Sequence, residues 1–145
     1  MEPLAAGDPA RIGDFVLHAR LGAGGMGRVF LGQSPGGRAV AVKVMHPHLA
    51  QHAEFRHRFR REVIAAQAVS GAFTAPVVAA GPDDAPPWIA TVYVPGPTLD
   101  EAVTRVGRMP EGSVWPLAAG LVEASLTPRA YGKPPLTVQI TGHPK

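Results

Sequence analysis

Glycines at positions 22, 24, 25 and 27 stand directly ahead of Val29-Phe30-Leu31, in the order Gly22-x-Gly24-x-x-Gly27-x-Val29. Glycines let backbone N–H groups approach phosphate oxygens closely, and they tolerate positive φ angles. A second chemical group stands in Val40-Ala41-Val42-Lys43, which sets one cation inside an apolar run. Period-two alternation gives Ala41 and Lys43 one face of a strand and Val40, Val42 and Val44 the other. A charge in a buried strand is costly unless an anion meets it. Glu62 can supply that anion, because it lies between Phe59 and Val63 at the edge of a helix's inward stripe.

Each group has a plainer reading. The glycines could form a flexible hairpin turn, Lys43 could snorkel from an edge strand, and Glu62 could pair with Arg58 four residues earlier. A dinucleotide fold uses the same glycine spacing, but there the loop opens a helix and an acid comes about 20 residues later. Here the loop opens an extended run and the turn Ser34-Pro35-Gly36-Gly37, and the next charged group of note is a lysine. A P-loop would need Gly-Lys-Ser/Thr, which is absent. His46, His48, His52 and His57 invite a metal reading, yet only His48 and His52 have i,i+4 spacing and no carboxylate or cysteine pattern joins them. The arginines from Arg56 to Arg61 read as a solvated basic helix face.

The elements that must position these groups follow from periodicity. Phe15–Leu21, Arg28–Gly32 and Ala39–Met45 read as strands, the last two joined by a Gly/Pro turn into a hairpin. Ala53–Ser70 reads as a helix with Phe55, Phe59, Val63 and Ala66 on one stripe, and Gly71 as its stop. Pro76–Gly81 and Trp88–Val94 read as two further strands around the turn at residues 82–87. Thr98–Val106 and Glu111–Ala124 read as helices, the second opened by Pro110 with Glu111 or Ser113 at its start. Pro128, Pro134, Pro135 and Pro144 interrupt residues 125–145, in which Leu136–Ile140 is the one strand-like run.

Composition narrows the class. The chain has 145 residues, 46% hydrophobic and 17% charged, enough for one domain with a real core. A net charge of +3 suits an anionic ligand and is too small to imply nucleic acid. With no cysteine there are no disulfides or thiolate metal sites. Nothing approaches the roughly 18 apolar residues of a membrane helix, and Met1–Ala10 lacks a signal-peptide pattern, so a soluble cytoplasmic protein is expected.

The glycine loop, Val40–Lys43 and Glu62 in Phe59-Arg60-Arg61-Glu62-Val63 together resemble the Hanks-type protein kinases, especially the bacterial serine/threonine kinases. The resemblance runs from about Gly13 to Ala124. It implies an α+β fold: a protein-kinase-like small lobe of five antiparallel strands plus the helix that family calls αC, then partial large-lobe helices and an irregular tail. The corresponding divisions are a lead-in at 1–12, the ATP-binding lobe at 13–95, a hinge exit with incomplete large-lobe helices at 96–124, and an unrelated tail at 125–145. By the same resemblance, Gly22, Gly24 and Gly27 would cover the phosphates of ATP. Lys43 would contact the α- and β-phosphates and be held by Glu62, while Leu21, Val29 and Ala41 sandwich adenine. Thr91 would be the gatekeeper, and the backbone of Val92 and Val94 would bond the adenine edge. Many members of the family carry an acid where Val92 stands.

The family transfers phosphate with a His-Arg-Asp loop, a magnesium-binding Asn and an Asp-Phe-Gly. The chain holds no His-Arg-Asp and no asparagine, and Asp14-Phe15 is followed by Val16. Magnesium ligands and catalytic residues are therefore missing from these residues, and the pattern stops in the helix Leu117–Ala124. A truncated or frameshifted kinase gene, or a fragment, is expected; His-Arg-Asp-Leu-Lys in another reading frame downstream would be its mark. Val114, Leu117, Leu121 and Val122 would then form an uncovered apolar stripe at 111–124 open to a partner such as a full-length kinase. The alternatives are a non-catalytic regulatory module and a remnant without function.

Overall fold

A computed structural model describes residues 1–68 and 74–96, together with residues 101, 104, 105, 107 and 112. The chain divides into two compact units, Met1–Ala68 with Ala75–Tyr93, and Val69–Thr74 with Val94–Lys145. The strands and helices named in this section belong to the first unit.

The strands are β1 (Glu2–Pro3), β2 (Arg11–Ile12), β3 (Phe15–Gly24), β4 (Gly27–Gln33), β5 (Ala39–Met45), β6 (Val77–Gly81) and β7 (Trp88–Val92), and the helices are α1 (Pro47–Ala50) and α2 (Ala53–Ala68). They form an antiparallel sheet in the order β1-β3-β4-β5-β7-β6, with β2 also paired to β3. The five expected strands are present. Residues 1–12 add two short ones, because β3 would otherwise leave its outer edge unpaired. The strand Ala39–Met45 has the predicted ends. The first strand continues beyond Leu21 to Gly24 and the second begins at Gly27, so Gly22, Gly24 and Gly27 lie within the sheet. The helix predicted to Ser70 is described to Ala68; Val69 and Ser70 lie outside the described residues. So do most of the helices expected at 98–106 and 111–124, of which Glu101, Thr104, Arg105 and Gly112 are described and helical, and the whole tail from 125.

Alternation divides the core. One sheet face carries Phe15, Leu17, Phe30, Val40, Val42, Val44, Trp88 and Ala90, all buried. Phe15 meets Trp88 edge-on at 5.7 Å, and Gly13, at φ +51°, leaves room for the Trp88 ring where a Cβ would stand 2.8 Å from it. On the other face, Phe59 and Val63 of α2 pack with Met45, flanked by Phe55, Leu49, Ala80 and Ile89. This is the stripe read from the helical spacing. A fully buried Phe is worth about 1.5–3 kcal/mol over an exposed one, so Phe59 is the main apolar anchor of α2.

Candidate functional site

The register of the three central strands collects the chemical groups. Val29 faces Lys43, and Leu31 faces Ala41 across β4 and β5. Ala41 faces Thr91, and Lys43 faces Ile89 across β5 and β7. Directly paired residues share a sheet face, so Val29, Ala41, Lys43 and Thr91 lie on one side together with Leu31 and Ile89. These six are half-buried, whereas Phe30, Val40, Val42 and Ala90 on the other side are 0–1% exposed. Leu31 and Ile89 are additions to the sequence-predicted set; alternation from Val29 and Thr91 could have found them.

Lys43 meets the anion that its half-buried strand position requires. Its Nζ donates to Glu62 Oε2 at 3.1 Å and lies 5.9 Å from the centre of the Phe59 ring, within cation–π range. The second oxygen of Glu62 faces Arg58 Nε at 3.9 Å. Glu62 thus takes the strand cation on one oxygen and its helix neighbour on the other, so the two readings of this carboxylate hold together. Helix α2 is also tied to the β6–β7 turn, where Arg56 donates to the Asp83 carbonyl at 3.0 Å and Arg60 pairs with the Asp83 carboxylate.

The glycine segment is a hairpin tip in which Gly24 pairs with Gly27 across Gly25-Met26. Gly27 is sterically required, since a Cβ there would sit 2.2 Å from the Val44 carbonyl oxygen. Gly22, Gly24 and Gly25 meet no protein atom within 4 Å of a built Cβ, and none of the loop glycines has a positive φ. Their freedom to adopt positive φ is not used here. Leu21 falls at a register shift between Arg20 and Gly22, a bulge of the kind that re-aims a strand end. His46, just past β5, holds the tip: its backbone N–H donates to the Met26 carbonyl at 3.1 Å, and its Nε2 lies 3.0 Å from the Gly24 carbonyl as donor. Its ring stacks on His48 at 5.3 Å. Sequence spacing carried no sign of this contact.

At the far end of β7, the Val92 N–H donates to the Pro76 carbonyl at 2.9 Å, and the Tyr93 N–H donates to the Ala39 carbonyl at 3.2 Å. Of the Val92 backbone, the carbonyl is the group left to consider for a ligand. Val94 falls in the second unit.

The chain is similar to serine/threonine protein kinases of several bacteria. The chain is 54% identical over 132 residues to the "Probable serine/threonine-protein kinase PkwA" of Thermomonospora curvata, covering 91% of this chain and 18% of that protein. It is 53% identical over 124 residues to the serine/threonine-protein kinase AfsK of Streptomyces griseus, covering 86% and 15%. The crystal structure of the Mycobacterium tuberculosis PknI kinase domain superposes with a TM-score of 0.67 at 31% identity, over 83% of this chain and 49% of that one. This chain has the small-lobe fold of a protein kinase domain, and its relatives are bacterial Hanks-type kinases. A scan of family profiles finds no match. The chain spans less than a fifth of the two curated relatives and about half of the PknI kinase domain.

Proposed function

We propose that this lobe grips ATP on its Lys43 face. Supporting the reading most directly is the 3.1 Å contact between Lys43 and Glu62, on the face shared by Val29, Ala41 and Thr91. Adenine would lie against the aliphatic side chains of Leu21, Val29 and Ala41 beside Thr91. The Val92 carbonyl would bond its edge, and the α- and β-phosphates would meet Lys43 under Gly22, Gly24 and Gly27. The open space around Gly22 and Gly24 fits this use, since a side chain there would stand between the backbone and a phosphate. Glu62 orients Lys43 and offsets its charge until phosphate oxygens share it.

The family uses magnesium to bridge phosphates and holds it with groups of its Asn and Asp-Phe-Gly motifs. The sequence holds no His-Arg-Asp and no asparagine, so the lobe would bind and orient nucleotide, and the transfer groups would come from outside these 145 residues. The reading places the lobe in the cytoplasm, where ATP is available. Among the described residues no helix is long and apolar enough to cross a membrane.

Calorimetric titration of the chain with ATP, beside Lys43→Met, tests the reading. Binding that weakens at least tenfold in the variant is expected; no detectable binding at millimolar ATP, or equal binding by both proteins, overturns it.

A further inference from the structure

Asp8 belongs to none of the kinase-like motifs, yet its carboxylate is among the most engaged groups in the lobe. Its side chain has no solvent-exposed surface. Oδ2 accepts from the Ala5 N–H at 2.8 Å and from Arg20 Nε. Oδ1 accepts from Arg20 Nη2 at 2.7 Å and from Arg28 Nη1 at 3.1 Å. The bidentate Arg20 contact is a charge-assisted pair of the strong kind, with geometric specificity added by its two parallel bonds.

The two arginines occupy matching places. Arg20 is the last residue of β3 before the Leu21 bulge and Gly22, and Arg28 is the first residue after Gly27. One carboxylate therefore joins both roots of the glycine loop. Arg20 pairs across the sheet with Phe30 and Arg28 with Val44, so both lie on the face opposite Lys43. The segment that carries Asp8 is itself fixed. Glu2 and Pro3 pair with Arg20 and Ala19, Leu4 packs on the core, and a turn closed from the Asp8 N–H to the Ala5 carbonyl at 3.0 Å presents the carboxylate.

We propose that Asp8 is a positioning residue for the glycine loop, and that residues 1–8 clip the loop's two roots from the far side of the sheet and so raise nucleotide affinity without meeting the nucleotide. The proposal rests on the reading of the Lys43 face as a nucleotide site. Hairpin strands joined only by backbone pairing can splay where a bulge interrupts the ladder. A charged clip at that bulge narrows the range of loop positions, and a loop already held in its binding geometry loses less entropy when phosphates arrive. The Arg20 guanidinium holds the Asp8 carboxyl down at about 2, so the clip stays closed across the neutral range.

The test combines hydrogen–deuterium exchange of the free chain with ATP titration, for wild type, Asp8→Ala, Asp8→Asn and, as a distant ion-pair control, Asp83→Asn. In Asp8→Ala, faster exchange confined to residues 20–29, with β5 and α2 unchanged, is expected. ATP affinity should fall about three- to thirtyfold, with Asp8→Asn between the two and Asp83→Asn like wild type. Unchanged loop exchange in Asp8→Ala overturns the clip. Faster exchange throughout the sheet makes Asp8 an ordinary structural staple and overturns its positioning role. A wild-type chain that binds no ATP overturns the nucleotide reading and the affinity effect with it; the exchange arm, read without nucleotide, keeps that failure distinct from failure of the clip.

Discussion

Lys43 Nζ and Glu62 Oε2 stand 3.1 Å apart, joining the central strand of the sheet to the only long helix among the described residues. Both side chains keep about a quarter of their surface, at 25% and 21%. A partly solvated pair of this kind contributes at most about 1 kcal/mol to folding. Glu62→Gln should therefore leave the thermal midpoint almost unchanged while weakening ATP binding severalfold, because Lys43 loses the partner that orients it. Differential scanning fluorimetry and calorimetry on the same samples check the two halves; a large fall in midpoint with intact affinity would reverse the assignment.

The loop glycines should separate by role. Gly27→Ala drives a methyl into the Val44 carbonyl, 2.2 Å from the built Cβ, and should cost about 1–3 kcal/mol as overpacking does. Gly24→Ala meets no protein atom within 4 Å, so urea unfolding should find it as stable as wild type or slightly more so, with ATP affinity reduced. Equal destabilisation by both would show that the loop is packed against protein.

Removing the His46 side chain should loosen the loop tip. His46→Ala deletes the hydrogen bond to the Gly24 carbonyl, 3.0 Å away, an interaction worth about 0.5–1.5 kcal/mol. Amide exchange at Gly25 and Met26 should rise, while His48→Ala, whose ring only stacks on His46, should have a smaller effect.

Acid should reveal the Asp8 clip. Its carboxyl is lowered from 3.8 to about 2, first by the hydrogen bond from Arg20. A group whose folded value is depressed stabilises the fold above its unfolded value, and that contribution is lost as pH falls through the folded value. Wild type should accordingly lose its advantage over Asp8→Asn between about pH 4 and pH 2 and keep a constant advantage above pH 5. Denaturant midpoints measured across this range check the sign; an advantage that grows on acidification would contradict it.

Phe59→Ala should detach α2. The ring is 1% exposed and anchors the smaller core cluster, so a loss of about 3–5 kcal/mol is expected, seen as a lower denaturant midpoint and lost helical circular dichroism. Ile64→Ala, at 59% exposed on the same helix, should stay close to wild type.

Much of this lobe was legible because its central strands and helix obey simple periods. Alternation through Val40–Val44 separated the buried valines from Ala41 and Lys43, and helical spacing put Phe59 and Val63 inward with Glu62 at their edge. Elsewhere the deciding contacts join residues whose sequence neighbourhood has no period. Asp8 meets Arg20 and Arg28 across turns, His46 reaches back 22 residues to Gly24, and α1 is a four-residue helix too short to show a stripe. The strand pairing of Glu2–Pro3 and Arg11–Ile12 arises from the open edge of β3, which only the assembled sheet provides. The bulges near His18 and Leu21 break period two where the chain enters the loop, so periodicity alone ends the first strand at Leu21.

Chemical-shift mapping of the labelled chain during an ATP titration tests the nucleotide-gripping role of the Lys43 face most directly. Shifts are expected at Gly22–Gly27, Val29, Ala41, Lys43 and Thr91, lost in Lys43→Met. Shifts centred instead on Val40, Val42 and the Trp88 face, or an identical pattern in the variant, would contradict it.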